Sequence, residues 1–172
     1  GCGKTTAMAK WMLNYKTLTG NPVYLISSKT EDETIDSIIG EDNINRIPTS
    51  AFDDREEMPQ LDDFENCLVC LDDFMNDNNS KNMLDLFQQS DPLNGAPKVS
   101  LFTIFHNISD AHKTKLILTE ADYLIIFPSS LSTRNFWYFC NNYGSISDSK
   151  LLKKIRNEVG KSVVISVEPN FV

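Results

Sequence analysis

Short apolar runs that alternate with helical patterns are the feature that most constrains how this chain folds. The runs are typical of buried strands and cover residues 22–26, 67–71, 99–105, 123–127 and 162–167. Apolar spacing also predicts helices over residues 30–40, 82–90, 133–142 and 148–158. Such alternation predicts an α/β fold with a mostly parallel sheet and flanking helices. The polar, acidic residues 41–66 are interpreted as a solvated connection with a helical turn.

The composition is that of one globular domain spanning residues 1–172, with 41% hydrophobic and 23% charged residues. The net charge of −8 argues against a protein that coats nucleic acid with its whole surface, but it is compatible with a local basic path. No apolar run approaches the roughly 20 residues that span a bilayer, so we expect no membrane-embedded segment. No secretory signal is visible in the chain.

Cys67 and Cys70 form a C-x-x-C pair, a spacing that also occurs in zinc and redox sites. Here the pair lies inside an apolar strand pattern, where residues three apart point to opposite faces of the sheet. The pattern therefore favours buried core cysteines over a shared metal. Unpaired, buried cysteines suit a reducing compartment.

The chain opens with Gly-Cys-Gly-Lys-Thr-Thr, which matches the end of a P-loop, G-x-x-x-x-G-K-[ST]. Glycines let backbone N–H groups surround phosphate oxygens, and the helix that follows aims its positive dipole end at them. In such a loop Lys4 reaches the β- and γ-phosphates of ATP and the Thr5 hydroxyl binds Mg²⁺. The first part of the motif and its strand would precede Gly1, so we expect an N-terminally truncated fold. The predicted nucleotide-binding residues are Gly1, Cys2, Gly3, Lys4, Thr5 and Thr6.

The apolar run 67–71 ends in two acids, which is a Walker B pattern. Asp72 is predicted to hold Mg²⁺ through water, and Asp73 to orient or deprotonate the attacking water. The second acid favours hydrolysis over nucleotide binding alone. The run 99–105 ends in His106 and Asn107. Asn107 is a candidate sensor of the γ-phosphate, and His106 is the alternative because strand alternation lets only one of them face the site.

A nucleotide kinase is the natural alternative among P-loop proteins, because such kinases clamp the transferred phosphoryl group with arginines. The chain has few arginines, and they are not clustered in the sequence: Arg46, Arg55, Arg134 and Arg156. This distribution disfavours a kinase.

With these motifs in this order, the chain resembles the FtsK–HerA superfamily, in particular the genome-packaging ATPases of double-stranded DNA viruses and related mobile elements, of the poxvirus- and polinton-like type. The segments that carry the resemblance are 83–87, 99–107, 115–127 and 162–170. Asn107 matches the family's sensor, whereas His106 stands where the family usually has glutamine. Lys115 stands where an arginine is common, and Arg134 is displaced from the family's Pro-Arg-Asp loop.

The resemblance implies a RecA/ASCE-like P-loop NTPase that hydrolyses ATP with Mg²⁺ and moves double-stranded DNA, without sequence preference, into a capsid. It implies a homo-oligomeric ring, expected to be a hexamer, in which Arg134 or Lys115 completes a neighbour's site. Capsid proteins are the other expected partners, and the expected location is the host cytoplasm or nucleus at sites of virion assembly, or the virion. The alternatives are a nucleotide-binding assembly or structural subunit with little turnover, and another P-loop ATPase or helicase.

A basic helix face is the first candidate for DNA contact. Lys150, Lys153 and Lys154 share one face of helix 148–158 because they are three and four residues apart, with Arg156 and Lys161 nearby; a merely solvated face is the alternative. The asparagine-rich loop 76–82 is the second candidate. For the sheet, we expect strands 68–72 and 99–105 to be neighbours, with strand 123–127 on the other side of the P-loop strand.

Overall fold

The computed structural model describes residues 3–72, 79–90, 95, 98–105, 121–158 and 162–167. The chain divides into two compact units, one of residues 4–106 and one of residues 1–3 with 107–172. The single domain expected from the composition stays a prediction.

The first unit is an α/β layer built on a four-stranded parallel sheet in the order β2-β1-β3-β4. This confirms the predicted α/β class and the parallel pairing of the strand that ends in Asp72 with the strand that follows it. The elements, in chain order, are α1 (Lys4–Thr19), β1 (Val23–Ser27), α2 (Glu33–Ile39), β2 (Asn45–Pro48), β3 (Cys67–Asp72), α3 (Ser80–Phe87) and β4 (Val99–Ile104).

Both faces of the sheet are covered. On one face α1 and α2 pack against alternate residues of the strands, in a core that includes Met8, Met12, Leu25, Ile35 and Cys70. On the other face the ring of Phe64 lies edge-on between Tyr24 of β1 and Phe87 of α3, with ring centroids 5.1 and 5.2 Å apart. β3 is buried along its whole length, as expected for a central strand of a parallel sheet covered on both faces.

The strand β2 was not predicted and corrects the interpretation of residues 41–66 as connection alone. Its sequence, Asn-Arg-Ile-Pro, has one aliphatic residue and lacks the apolar run by which strands are recognised. β2 is an edge strand, where the missing N–H of Pro48 is tolerated. The remainder of the region contains turns of 3-10 helix at Glu41–Asn43, Thr49–Phe52 and Leu61–Phe64, in agreement with the predicted helical turn.

The second unit contains β5 (Tyr123–Ile126), α4 (Thr133–Tyr143), α5 (Ser149–Glu158) and β6 (Val163–Ser166). β5 and β6 pair antiparallel in a separate two-stranded sheet. The chain connects them through two helices, whereas a single crossover helix is the usual route to a parallel pair. This antiparallel pair differs from the mostly parallel sheet expected for strands 123–127 and 162–167.

The helices of the second unit bury an apolar stripe against the sheet, in a core formed by Ile126, Phe136, Phe139, Cys140, Leu152 and Ile165. Gly144 ends α4 in close contact with this core. A Cβ atom at Gly144 would lie 2.9 Å from the Cys140 carbonyl oxygen and 3.1 Å from Ile165 Cγ2, so glycine is required for packing. In the described part of the chain, no helix has the length and apolar character needed to cross a membrane.

Candidate functional site

Buried polar side chains gather at one edge of the four-stranded sheet. Ser27 and Asp72 are the last residues of β1 and β3, Thr49 directly follows β2, and Asn79 donates from Nδ2 to the Thr49 carbonyl. In parallel α/β sheets, ligands bind in the crevice outside the carboxyl ends of the strands. In the described residues, the buried polar or charged side chains, cysteine aside, are these four and Ser80, which directly follows Asn79 and begins α3.

Asp72 lies on the same face of the sheet as α1. Leu68 and Cys70, which precede it at two-residue intervals, belong to the core beneath that helix, and alternate residues of a strand share a face. Asp72 is only 5% exposed. Its register partners are Ser27 on β1 and Ile104 on β4, so this carboxylate ends the central strand between a hydroxyl and an apolar neighbour.

The helix α1 begins at the carboxyl edge. The Nζ of Lys4, its first residue, donates to the Phe105 carbonyl oxygen at 3.1 Å, directly after β4. Near the other end of the helix, the Tyr15 hydroxyl donates to the Asn66 carbonyl before β3. The positive end of the helix dipole therefore lies at the carboxyl edge. Gly3, just before the helix, has φ +90°, a conformation that side chains rarely adopt and that a phosphate-binding turn uses.

These placements bring part of the predicted nucleotide and magnesium site together. Lys4, Thr5 and Thr6 form the first turn of α1 and are half-buried, on the face and edge where Asp72 ends β3. Among the described residues, no group of three or more His, Cys, Asp or Glu side chains is arranged to hold a metal ion. The magnesium ligands predicted from the sequence, Thr5 and Asp72, offer a hydroxyl and a carboxylate. Such a set suits Mg²⁺, which keeps several waters and takes its other oxygens from substrate phosphates.

Other predicted site residues lie outside the described part of the chain. The structure places neither the start of the P-loop motif, nor the second acid of the Walker B pattern, nor the sensor candidates. It does place Phe105, which directly precedes the sensor candidates, at the carboxyl edge. The residues concerned are Gly1, Cys2, Asp73, His106, Asn107, Lys115 and Lys161.

The cysteines of β3 are core residues, as predicted. Cys67 and Cys70 are free and buried, and the Cys67 thiol donates to the Phe64 carbonyl at 2.9 Å. Burial raises the pKa of Cys67 to about 11. Burial, reinforced by the negative charge of Asp72, also raises the pKa of Cys70. Both thiols stay protonated at neutral pH, whereas metal ligation and nucleophilic attack require a thiolate.

Most of the arginines bond to other groups of the chain. Arg46 pairs with Asp36, and Arg55 with Asp85. Arg156 donates from Nη2 to the Leu131 carbonyl at 3.2 Å, and its guanidinium lies over the Phe136 ring. Arg156 therefore turns inward and does not join the exposed basic face, contrary to expectation. Arg134, in the first turn of α4, is exposed.

The first candidate surface for DNA is solvent-facing, whereas the described asparagines of the second bond within the fold. Lys150, Lys153 and Lys154 are exposed on α5, while Leu152 is buried beneath them. In the described part of loop 76–82, by contrast, Asn79 and Asn82 donate their amide hydrogens within the fold, to the carbonyls of Thr49 and Phe52 among others. These two amides are therefore engaged within the fold, which disfavours them as phosphate donors, and residues 76–78 of the loop lie outside the described residues.

Four buried polar residues at or next to the carboxyl edge were missed by the sequence interpretation: Ser27, Thr49, Asn79 and Ser80. A signal was present for Ser27, because it directly follows the apolar run 22–26 as Asp72 follows 67–71. Thr49 was hidden because the strand before it was not recognised. Asn79 and Ser80 lie in a polar loop, where nothing in the sequence separates buried from solvated side chains.

Comparisons of the chain with protein-family models, curated proteins and solved structures found no match. The site is therefore interpreted from its own residues and geometry.

Proposed function

We propose that this chain is a P-loop ATPase that binds MgATP at the carboxyl edge of its parallel sheet. The observation that carries the proposal is the convergence of buried polar side chains and the Lys4 ammonium on that edge. Burying a polar group costs free energy unless the group is hydrogen-bonded. Their concentration at the edge where ligands bind in parallel sheets is the expected signature of a site.

Each phosphate-binding role has a residue with suitable chemistry and position. Lys4 supplies a cation at the sheet edge, and its ammonium has three donors, of which Phe105 takes one. Thr5 supplies a hydroxyl for Mg²⁺, and Asp72 a carboxylate for the water shell of the ion. The amino end of α1 adds unpaired backbone N–H groups and a positive dipole. Bound Mg²⁺ would neutralise charge on the β- and γ-phosphates.

We further propose that the enzyme hydrolyses ATP and uses it to move double-stranded DNA, as the resemblance to the FtsK–HerA packaging ATPases implies. Asp73 is assigned to the attacking water and Asn107, or His106, to the γ-phosphate. The pairing of β3 with β4 supports this assignment, because the segments after both strands then start from neighbouring positions at one edge. Arg134, exposed in α4, is the better candidate of the two for a residue that acts on a neighbouring subunit, because guanidinium binds phosphate bidentately.

The translocation proposal also requires a DNA-contacting surface and other subunits. The exposed lysines of α5 provide a local basic face on a chain of net charge −8. Contact through such a face is sequence-independent, as a motor that moves any genome requires. A hexameric ring, capsid partners and a location at sites of virion assembly belong to the same proposal.

Equilibrium binding of ATP tests the nucleotide site. The full-length native protein and its Lys4→Met variant are titrated with a fluorescent ATP analogue, with and without Mg²⁺. We expect saturable binding that Mg²⁺ strengthens and that Lys4→Met abolishes. Lys10→Met, which changes an exposed lysine of the same helix, is the matched control and should bind normally. Equal binding by all three proteins would overturn the P-loop assignment.

A further inference from the structure

A cleft of about 140 Å³ lies at the amino edge of the four-stranded sheet, opposite the carboxyl edge that carries the proposed ATP site. Its walls come from the end of α1 and from residues at or just before the starts of β1, β3 and β4. Such a volume holds several water molecules or one small polar solute. The lining residues are all polar, and none of them is acidic: Tyr15, Thr19, Asn21, Asn66, Lys98 and Ser100.

Hydrogen bonds within the chain fix one part of the lining. The Tyr15 hydroxyl donates to the Asn66 carbonyl oxygen at 3.4 Å, and the Thr19 hydroxyl donates to the Tyr15 carbonyl oxygen at 2.7 Å. Thr19 Oγ1 also accepts a bond of 3.1 Å from the Asn21 backbone N–H. These bonds hold the end of α1 against the residues that precede β1 and β3, so the cleft is formed without a ligand, as most small-ligand sites are.

The rest of the lining carries donors that the chain does not use. In the described part of the chain, no hydrogen bond or ion pair engages the side chains of Asn21, Lys98 and Ser100. They offer a carboxamide, an ammonium and a hydroxyl, all of which can donate hydrogen bonds to one acceptor group. The cleft therefore presents free donors of three kinds around one small volume.

The charge of the cleft is set by Lys98, the one charged residue of the lining. The carboxyl end of α1 contributes an opposing partial charge of about −0.5, which is smaller than the full charge of the ammonium. Glu65, whose Oε1 accepts from Asn66 Nδ2 at 3.3 Å, is not part of the lining. Acidic residues far outnumber basic ones in residues 4–106, so a positively charged cleft stands out in this unit.

We propose that this cleft binds a small oxyanion of the phosphate type, held by the Lys98 ammonium together with the Asn21 amide and the Ser100 hydroxyl. Lysine binds phosphate as a point charge, and amide and hydroxyl side chains commonly donate to phosphate oxygens. The cleft is small for a whole nucleotide, since pockets for larger organic ligands measure roughly 300 to 1,000 Å³. The inference does not depend on the proposed ATPase activity, because it concerns the opposite edge of the sheet.

The test is a calorimetric titration of the full-length native protein with inorganic phosphate at constant ionic strength. Lys98→Met removes the cation of the cleft, and Ser100→Ala removes one neutral donor. Lys98 is exposed and bonds to nothing in the described part of the chain, so its variant should fold as the wild type does. Lys10→Met, which changes another exposed lysine of the same unit, is the matched control, and Lys4→Met reports any phosphate bound at the proposed ATP site.

We expect saturable binding that Lys98→Met weakens about 10-fold or more, the usual effect of losing a charged hydrogen-bond donor, and that Ser100→Ala weakens about 2- to 10-fold. Lys10→Met and Lys4→Met should bind phosphate as the wild type does. A second titration with AMP, in the Lys4→Met protein, identifies the source: tighter binding than phosphate indicates a phosphomonoester, and weaker binding indicates the free ion.

Three results would overturn the inference. The first is a wild-type protein that shows no saturable phosphate binding. The second is binding that Lys4→Met abolishes and Lys98→Met leaves intact, which would place the phosphate at the carboxyl edge. The third is an equal loss in Lys98→Met and Lys10→Met, which would reduce the effect to the overall charge of the chain.

Discussion

Lys4 and Phe105 are joined by a hydrogen bond of 3.1 Å from the lysine Nζ to the phenylalanine carbonyl oxygen, across 101 positions of sequence. The bond connects the first residue of α1 with the residue that follows β4. It brings the ammonium to the carboxyl edge, where Asp72 ends the neighbouring strand. The same bond makes Lys4 part of the fold as well as of the proposed phosphate site.

Lys4→Met is expected to lower stability in addition to abolishing ATP binding. The Phe105 carbonyl loses its charged donor, and a lost hydrogen bond of this kind costs about 1 kcal/mol or somewhat more. Urea unfolding without nucleotide measures the loss, with Lys10→Met as the control of equal charge change. A Lys4→Met protein as stable as this control would show that the bond contributes nothing to the fold.

Asp72→Asn and Asp73→Asn should have different effects. Asp72→Asn is expected to weaken Mg²⁺-dependent ATP binding, because it neutralises the buried carboxylate proposed to hold the ion's water shell. Asp73→Asn should leave ATP bound and slow hydrolysis by roughly 10²- to 10⁴-fold, the usual contribution of a general base. Binding titrations and single-turnover rates separate the two effects. Equal and mild effects of both changes would identify the two acids as a polar turn.

The lysines of α5 should govern the salt dependence of DNA binding. Each phosphate contact contributes about −0.9 to the slope of log K against log salt concentration, so changing Lys150, Lys153 and Lys154 to glutamine should reduce the slope by roughly 2 to 3 units. Fluorescence anisotropy with a random-sequence duplex measures it. The control carries the same charge change at the exposed lysines Lys10, Lys81 and Lys98. A slope that responds only to the control would place DNA on the first unit.

Stability should decline at alkaline pH because of Cys67. Burial raises the pKa of its thiol to about 11, whereas an unfolded cysteine ionises near about 8.5. The folded chain therefore binds more protons between these values. The contribution of Cys67 to the free energy of unfolding is fully present below about pH 8.5 and is lost as the pH rises toward about 11. Urea unfolding across this interval should show a shallower decline for Cys67→Ala; superimposable pH profiles would contradict the assignment.

The extent to which the sequence predicted the structure depends on the kind of element. β3 was predicted because five consecutive apolar residues before Asp72 can only be buried in a strand of this length, and the helices were predicted from apolar spacing. β2 was not predicted, because its residues are exposed or only half-buried and include no apolar run. The antiparallel pairing of β6 with β5 also escaped prediction, since strand direction depends on the path of the connecting helices and not on the strand's own residues.

The residues of the candidate site also divide into those that a sequence motif predicts and those that it does not. Lys4, Thr5 and Asp72 could be named because their motifs combine a residue type with a fixed spacing. Ser27 was missed although it directly follows the apolar run 22–26, because a serine at that position belongs to no fixed motif. Its place beside Asp72 depends on the register of β1 against β3.

The most direct measurement of the central claim is the rate of phosphate release from ATP by the full-length native protein, with Mg²⁺, in the presence and absence of double-stranded DNA. The account predicts Mg²⁺-dependent turnover that double-stranded DNA of any sequence accelerates and that Asp73→Asn removes while ATP still binds. ATP binding without turnover under either condition would contradict the motor and favour a nucleotide-binding structural subunit.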